Sequence, residues 1–321
     1  MIKSLLLATL VGISLLATTA RATQAGATHY ISGQQSDFCT LTPMTPGLYV
    51  GNIYLNYNDA TFSPSKELPF GRIEALGATV NMQGEVPAGI YTYPFDFLGG
   101  RLASGVLVPY TWVHVKASAT FDVHGGPLSQ NVDQQTAGIG DIEMMPLMAG
   151  WKFGDFQLDG MFNIWAPTGG YDKQRLANTG LGYWTFEPML AASWTSSKIG
   201  TEATIYAAVD FNTENTDADY TSGDLFHVDG TVAQHLPLFG GLAGVGATAF
   251  YMKQITGDSS SGLPPELGGF MLKSYGVGPT ISYIHPIGKS TLIVDGSWLP
   301  QTHSDNTTKG DFFWVKVILS F

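Results

Sequence analysis

The sequence predicts an all-β fold, a transmembrane, antiparallel, up-and-down β-barrel of about twelve strands. Three observations lead there. Apolar and polar residues alternate over segments of strand length. The connections between those segments are short and long in turn. The N-terminus carries the three parts of an export signal.

The first element is that signal. Lys3 supplies the positive start, Leu5 to Ala17 the apolar stretch, and Ala20 to Ala22 a small-x-small cleavage site. The apolar run is shorter than the roughly 18–20 residues that a spanning helix needs. Residues 1–22 are therefore read as a signal peptide. Its removal takes away Lys3 and Arg21 and leaves the chain more acidic than its full-length net charge of −11.

Residues 23–46 follow. They are polar and rich in Gly and Thr, and suit either a periplasmic segment or a plug inside a barrel. Residues 47–321 carry the strand pattern. We place strands near 47–58, 71–83, 100–123, 140–153, 156–167, 183–196, 200–212, 224–236, 241–255, 272–286, 290–300 and 311–321. In "YWTFEPMLAASW", Trp184, Phe186, Leu190 and Trp194 share a face opposite Thr185, Glu187 and Ser193. In "TEATIYAAVDF", Ile205, Val209 and Phe211 oppose Glu202, Thr204, Tyr206 and Asp210. Period-2 alternation of this kind marks strands.

The tight connections fall near 153–155, 196–199, 238–241 and 287–289. The long polar ones fall at 124–139, 167–182, 212–223, 256–271 and 301–310. Short periplasmic turns and longer outer loops are the asymmetry of outer-membrane barrels, whose strand number is even. The stretch 84–100 is long on the side where turns should be short. It either packs against the barrel or holds two more strands, which would make fourteen.

A soluble sandwich would also alternate, with its apolar faces meeting inside. The export signal argues against it. So do the aromatics beside the tight turns (Trp151, Phe153, Phe156, Trp194), which suit a membrane interface. Charged residues are only 13%, against about 25% in an average soluble domain, as lipid contact demands. The acidic balance leaves no basic stripe for phosphates, which excludes a nucleic-acid partner. The lone Cys39 forms no internal disulfide, and no cysteine or histidine spacing suggests a metal or other cofactor.

Parity selects an inward-facing, pore-lining set: Asp159, Asn163, Glu187, Glu202, Tyr206, Asp210, His227, Asp229, Asp295 and Lys316. Such groups set the selectivity of a pore or form a polar network that stiffens the barrel. At twelve strands the interior is wider than the eight-stranded case that side chains fill. The closing "FFWVKVILSF" puts Phe313, Val315, Val317, Leu319 and Phe321 on one apolar face toward lipid. That face resembles the signal read by the barrel-assembly machinery, and this last strand must pair with the first to leave no free edge. In the acidic loop, Asp217, Asp219 and Asp224 offer oxygens for Ca²⁺ without the spacing of an EF-hand.

The stretches "GLYVGNIYLNY", "GIGDIEMMPLMAGWKFGDFQ", "WAPTGGYDKQRLANTGLGYWTFEP" and "DFNTENTDADYTSGDLFHVD", with the aromatic last strand, resemble the outer-membrane protein family associated with meta-pathway phenol degradation. The resemblance covers about 47–321. It implies an outer-membrane channel of a Gram-negative envelope for small hydrophobic compounds, aromatic ones among them. The expected partners are outer-membrane lipid and lipopolysaccharide, a small hydrophobic solute and the assembly machinery, with no cofactor. Two other classes stand beside it. One is a structural or adhesive barrel without transport. The other is a phospholipase-like enzyme, for which seven histidines are present but no G-x-S-x-G motif.

Overall fold

The computed structural model describes residues 27–62, 73–123, 126–260 and 271–321. The signal-peptide reading of 1–22 lies outside the described residues. Sixteen strands form: β1 (Gly47–Phe62), β2 (Ile73–Thr92), β3 (Arg101–Leu107), β4 (Tyr110–Val123), β5 (Gly126–Ile139), β6 (Ile142–Phe153), β7 (Phe156–Ala166), β8 (Thr185–Thr195), β9 (Thr201–Asn212), β10 (Glu214–Asn215), β11 (Tyr220–Thr221), β12 (Leu225–Leu238), β13 (Gly241–Gln254), β14 (Lys273–Ile287), β15 (Ser290–Asp305) and β16 (Lys309–Ser320).

These strands make twelve barrel staves. β3 and β4 are one stave interrupted at Val108 and Pro109, because β2 pairs with both: Ala88 opposite Leu107, then Glu85 opposite Tyr110. β5 and β6 are likewise one stave interrupted at Gly140 and Asp141. β10 and β11 form a small hairpin inside an outer loop. The remaining neighbours pair antiparallel around the ring. β16 closes the circle against β1, with Tyr49 opposite Ser320 and Asn58 opposite Asp311. The barrel therefore has no open seam, as strands in lipid require.

Three features of the sequence reading change, and one alternative is settled in favour of the expected twelve strands. First, 124–139 is no simple loop: 126–139 is β5, paired with β4 along its whole length. Its polar run "SQNVDQQT" lacks the one-sided apolar pattern of a barrel strand. Second, 84–92 belongs to β2, so the connection shrinks to 93–100. Gly84, Pro87 and Gly89 look like loop punctuation, yet Pro87 sits beside the stave's interruption, where the Val108 N–H donates to its carbonyl (3.0 Å). Third, β15 reaches Asp305 and β16 begins at Lys309, so the connection there is much shorter than 301–310. The closed barrel is twelve-stranded and not fourteen.

The tight turns form as their residues dictate. Leu238 pairs with Gly241 around Phe239 (φ 48°) and Gly240 (φ 79°). Positive φ at both central residues is the type I′ geometry that suits the twist of paired strands. The outer surface is apolar: Leu190, Ile205, Val232, Val245, Ile281 and Phe313 are all exposed. The interior holds the buried polar and charged side chains, together with an apolar cluster that includes Met148, Met161, Phe250 and Trp314. A soluble fold reverses this order. The inversion, with aromatics such as Phe153 and Phe156 exposed beside a tight turn, makes the molecule an outer-membrane barrel.

Candidate functional site: a lumen filled by the N-terminal segment

All ten of the predicted inward residues are buried, between 0% and 3% exposed. They are gathered from six strands by the two-residue period, which sends every second side chain to the same face. What they meet there is largely the protein's own N-terminal segment. Residues 29–42 contact strands all round the ring, so the segment runs through the barrel interior.

At the outer end, His29 bridges Thr185 Oγ1 (2.6 Å) and Asp141 Oδ2 (2.8 Å). The Tyr30 hydroxyl donates to Asp229 at 2.8 Å, and its ring stacks on His227 with centroids 3.7 Å apart. The Gly33 N–H donates to the same Asp229 (3.0 Å). Gln34 and Gln35 donate their amides to the two oxygens of Glu143 (2.6 and 3.2 Å). Trp314 Nε1 donates to the Ser32 carbonyl (2.9 Å).

Midway, Asp37 caps a single 3₁₀ turn, Phe38–Thr40, by accepting from the Cys39 N–H. Its other oxygen holds Lys316 Nζ at 2.8 Å, both side chains being buried. Glu202 accepts from the Phe38 N–H (3.0 Å) and pairs with His235 Nε2 (2.7 Å). Tyr206 donates to the Asp37 carbonyl (2.7 Å). Near the tight turn at Phe153–Phe156, Asp159 accepts from the Thr42 N–H (2.9 Å). The chain then enters β1. The segment thus runs from the outer end of the lumen to the inner end.

Above it, outer loops cover the lumen. Tyr220 and the Gly223 N–H both donate to Asp258, and Thr221 bridges Ser259. Burial pushes the Asp258 carboxyl above its ordinary range, against the pull of these donors. Below it lies a cavity of about 940 Å³ between the segment and the wall, lined by Phe38, Met161, Leu242, Ile293 and Ile318 among others.

Asn163, Glu187, Asp210 and His227 form a cluster on the wall, and Asp295 lies apart, beside Asp37 and Cys39. Asn163 Nδ2 donates to Glu187 Oε1 (2.7 Å), and His227 Nε2 lies 3.1 Å from Glu187 Oε2 and 3.3 Å from Asp210 Oδ1. Asp295 accepts from Thr280 (3.3 Å). The terminal-strand residues Phe313, Val317 and Phe321 are exposed, and Val315 and Leu319 are half-buried. Among the described residues, Asp217, Asp219 and Asp224 do not come together as a ligand cluster.

Asp141 and Glu143 were not among the predicted residues. Their strand carries a bulge between Met144 and Leu147, at Pro146, which reverses the inward parity. Pro146 was the available signal, because proline inside a strand marks an edge or a bulge.

No protein of curated function matches the sequence. Among solved structures, the COG4313 outer membrane channel from Pseudomonas putida F1 is similar with a TM-score of 0.64 at 10% identity, over 91% of this chain and 100% of that one. The β domain of the Bordetella autotransporter BrkA gives a TM-score of 0.47 at 11% identity, over 86% and 100%. A Pseudomonas aeruginosa FadL homologue gives 0.39 at 10% identity, over 85% and 87%. At these identities the likeness to the first is one of fold. The sequence profile of one family matches residues 57–317, most of the barrel. The chain belongs to that family, described as "Putative MetA-pathway of phenol degradation".

Proposed function

We propose that the protein is an outer-membrane channel for passive uptake of small hydrophobic compounds, aromatic ones among them. The observation that carries this reading is the cavity of about 940 Å³ inside the barrel, with apolar side chains from several strands and from Phe38. A space of that size matches the clefts that hold small ligands. Membership of a family named for phenol degradation, and the likeness to a solved outer-membrane channel, both support it. Packed sugars and anions of lipopolysaccharide exclude apolar solutes, so a barrel interior offers them a route. The solute's own gradient drives the flux, and it leaves through the lumen to the periplasm or sideways into the bilayer.

Asp159, Asn163, Glu187, Glu202, Tyr206, Asp210, His227, Asp229, Asp295 and Lys316 act in this reading mainly as the seat of the N-terminal segment. They shape the lumen by holding residues 29–42, and so decide which part of it stays open. The terminal face Phe313, Val315, Val317, Leu319 and Phe321 serves assembly, as a lipid-facing strand end.

The test is uptake of labelled toluene or phenol by cells with and without the gene. Faster accumulation with the gene is expected, and equal rates would sink the channel reading. One observation favours a second reading, a barrel without transport: residues 29–35 occupy the outer half of the lumen and are hydrogen-bonded to its wall. Equal uptake together with a loss of envelope integrity on deletion would favour it.

A further inference from the structure

The barrel interior is strongly acidic. Buried carboxylates include Asp37, Asp141, Glu143, Asp159, Glu187, Glu202, Asp210, Asp229 and Asp295, while Lys316 is the single buried Lys or Arg among the described residues. Lys316 answers for Asp37 and lies near Asp295. In the Glu187–Asp210 cluster no Lys or Arg among the described residues is buried, and His227, a cation when protonated, faces three carboxylates, Glu187, Asp210 and Asp229, where charges taken out of water need partners.

We propose that Glu187, Asp210 and His227 form a divalent metal site of the zinc class. Three ligand atoms, one from each residue, lie within 4.8 Å of one another, and all three residues are buried. The spacing is informative. His227 Nε2 is 3.1 Å from Glu187 Oε2 and 3.3 Å from Asp210 Oδ1. Metal bonds of about 2.0–2.1 Å in a tetrahedron set ligand atoms roughly 3.3 Å apart. The two edges from His227 are thus close to those such an ion requires, and the third is bounded at 4.8 Å. An imidazole among the ligands favours zinc, nickel or iron over calcium and magnesium.

Two further atoms point to the ion. Asn163 is wholly buried, and its amide is aimed at Glu187, yet its Oδ1 has no hydrogen-bond partner. A half-turn of that amide brings the oxygen toward the cluster as a fourth donor. On the far side of the ring, His227 Nδ1 also lacks a hydrogen bond and faces Asp229 Oδ2 at 3.8 Å. A carboxylate beside the free nitrogen of a ligating histidine orients the ring and strengthens it as a ligand. Binding displaces the Nε2 proton, which leaves Nδ1–H directed at Asp229. Tyr30, stacked on His227 and bonded to Asp229, closes the site from the lumen side. The ion therefore lies beneath the N-terminal segment, and its presence fastens that segment to the wall.

The second carboxylate group, Asp37 and Asp295 with Cys39, differs in this respect. Lys316 already occupies it, at 2.8 Å from Asp37.

The experiment refolds the full chain in detergent with Zn²⁺, dialyses it, and counts metal by mass spectrometry. One Zn²⁺ per heat-modifiable barrel is expected. His227→Gln should abolish it, Asp229→Asn should weaken affinity roughly ten- to a hundredfold, and His235→Gln should leave it unchanged. If His227→Gln fails to fold, the wild-type barrel refolded with Co²⁺ decides through its visible ligand-field bands, which a tetrahedral N/O site makes intense. Folded wild-type barrel without stoichiometric Zn²⁺, equal Zn²⁺ in folded His227→Gln, or a Co²⁺ spectrum identical to the free aqueous ion would each overturn the site.

Discussion

The two halves of the lumen are built from the same segment and treat it differently. In the outer half, residues 29–35 are tied to Thr185, Asp141, Asp229, Glu143 and Trp314, and the outer loops lie above them. In the inner half, residues 38–46 line a cavity together with wall residues such as Met161, Leu242, Ile293 and Ile318. The difference follows from side-chain chemistry. His29, Tyr30, Gln34 and Gln35 can satisfy inward carboxylates, while Phe38, Leu41 and Pro43 cannot. In the proposed channel the barrier to passage would therefore lie in the outer half, and the space for a solute in the inner half.

Removing residues 27–42 should break this contrast outright. Without the segment, a twelve-stranded barrel is too wide for its wall side chains to fill. Planar-bilayer recordings should show much larger conductance than the intact protein, with heat-modifiability retained. Unchanged conductance would mean that the outer loops and not the segment form the barrier.

Lys316→Met comes next. It leaves Asp37 buried beside its lost partner, and breaking one side of a buried pair costs about 3–5 kcal/mol. The midpoint of the heat-modifiable gel shift should fall accordingly. Asp37→Leu combined with Lys316→Met should recover much of the loss, since an apolar pair needs no charge partner. A midpoint equal to wild type in Lys316→Met would show that the pair does not anchor the segment.

The smallest effect belongs to Trp314→Phe. The ring's bulk remains, but the bond to the Ser32 carbonyl is lost, which costs about 1 kcal/mol. Urea unfolding in detergent measures it. A loss as large as that of Lys316→Met would place the anchoring of the outer half on this one contact.

The wall was legible from the sequence to a useful depth. In β8 and β9 the strict alternation put Glu187, Glu202, Tyr206 and Asp210 inward, and all four are buried. Along β6 the same rule fails at Pro146, because a bulge adds one residue and reverses the faces beyond it. The rule also missed β5, whose polar run carries no one-sided apolar pattern. Nothing in the order of Thr28 to Thr42 says which strand each residue will touch. His29 meets Asp141 across 112 positions and Ser32 meets Trp314 across 282.

The sequence by itself determined most of the wall: about twelve staves, the side of the tight turns, and most of the residues that look inward. Those follow from local rules of period, turn chemistry and charge, each read within a few neighbouring residues. Only the tertiary structure decided what fills the wall. The path of residues 27–46 is set by carboxylates contributed from strands around the whole ring. Their convergence exists only after the barrel has closed.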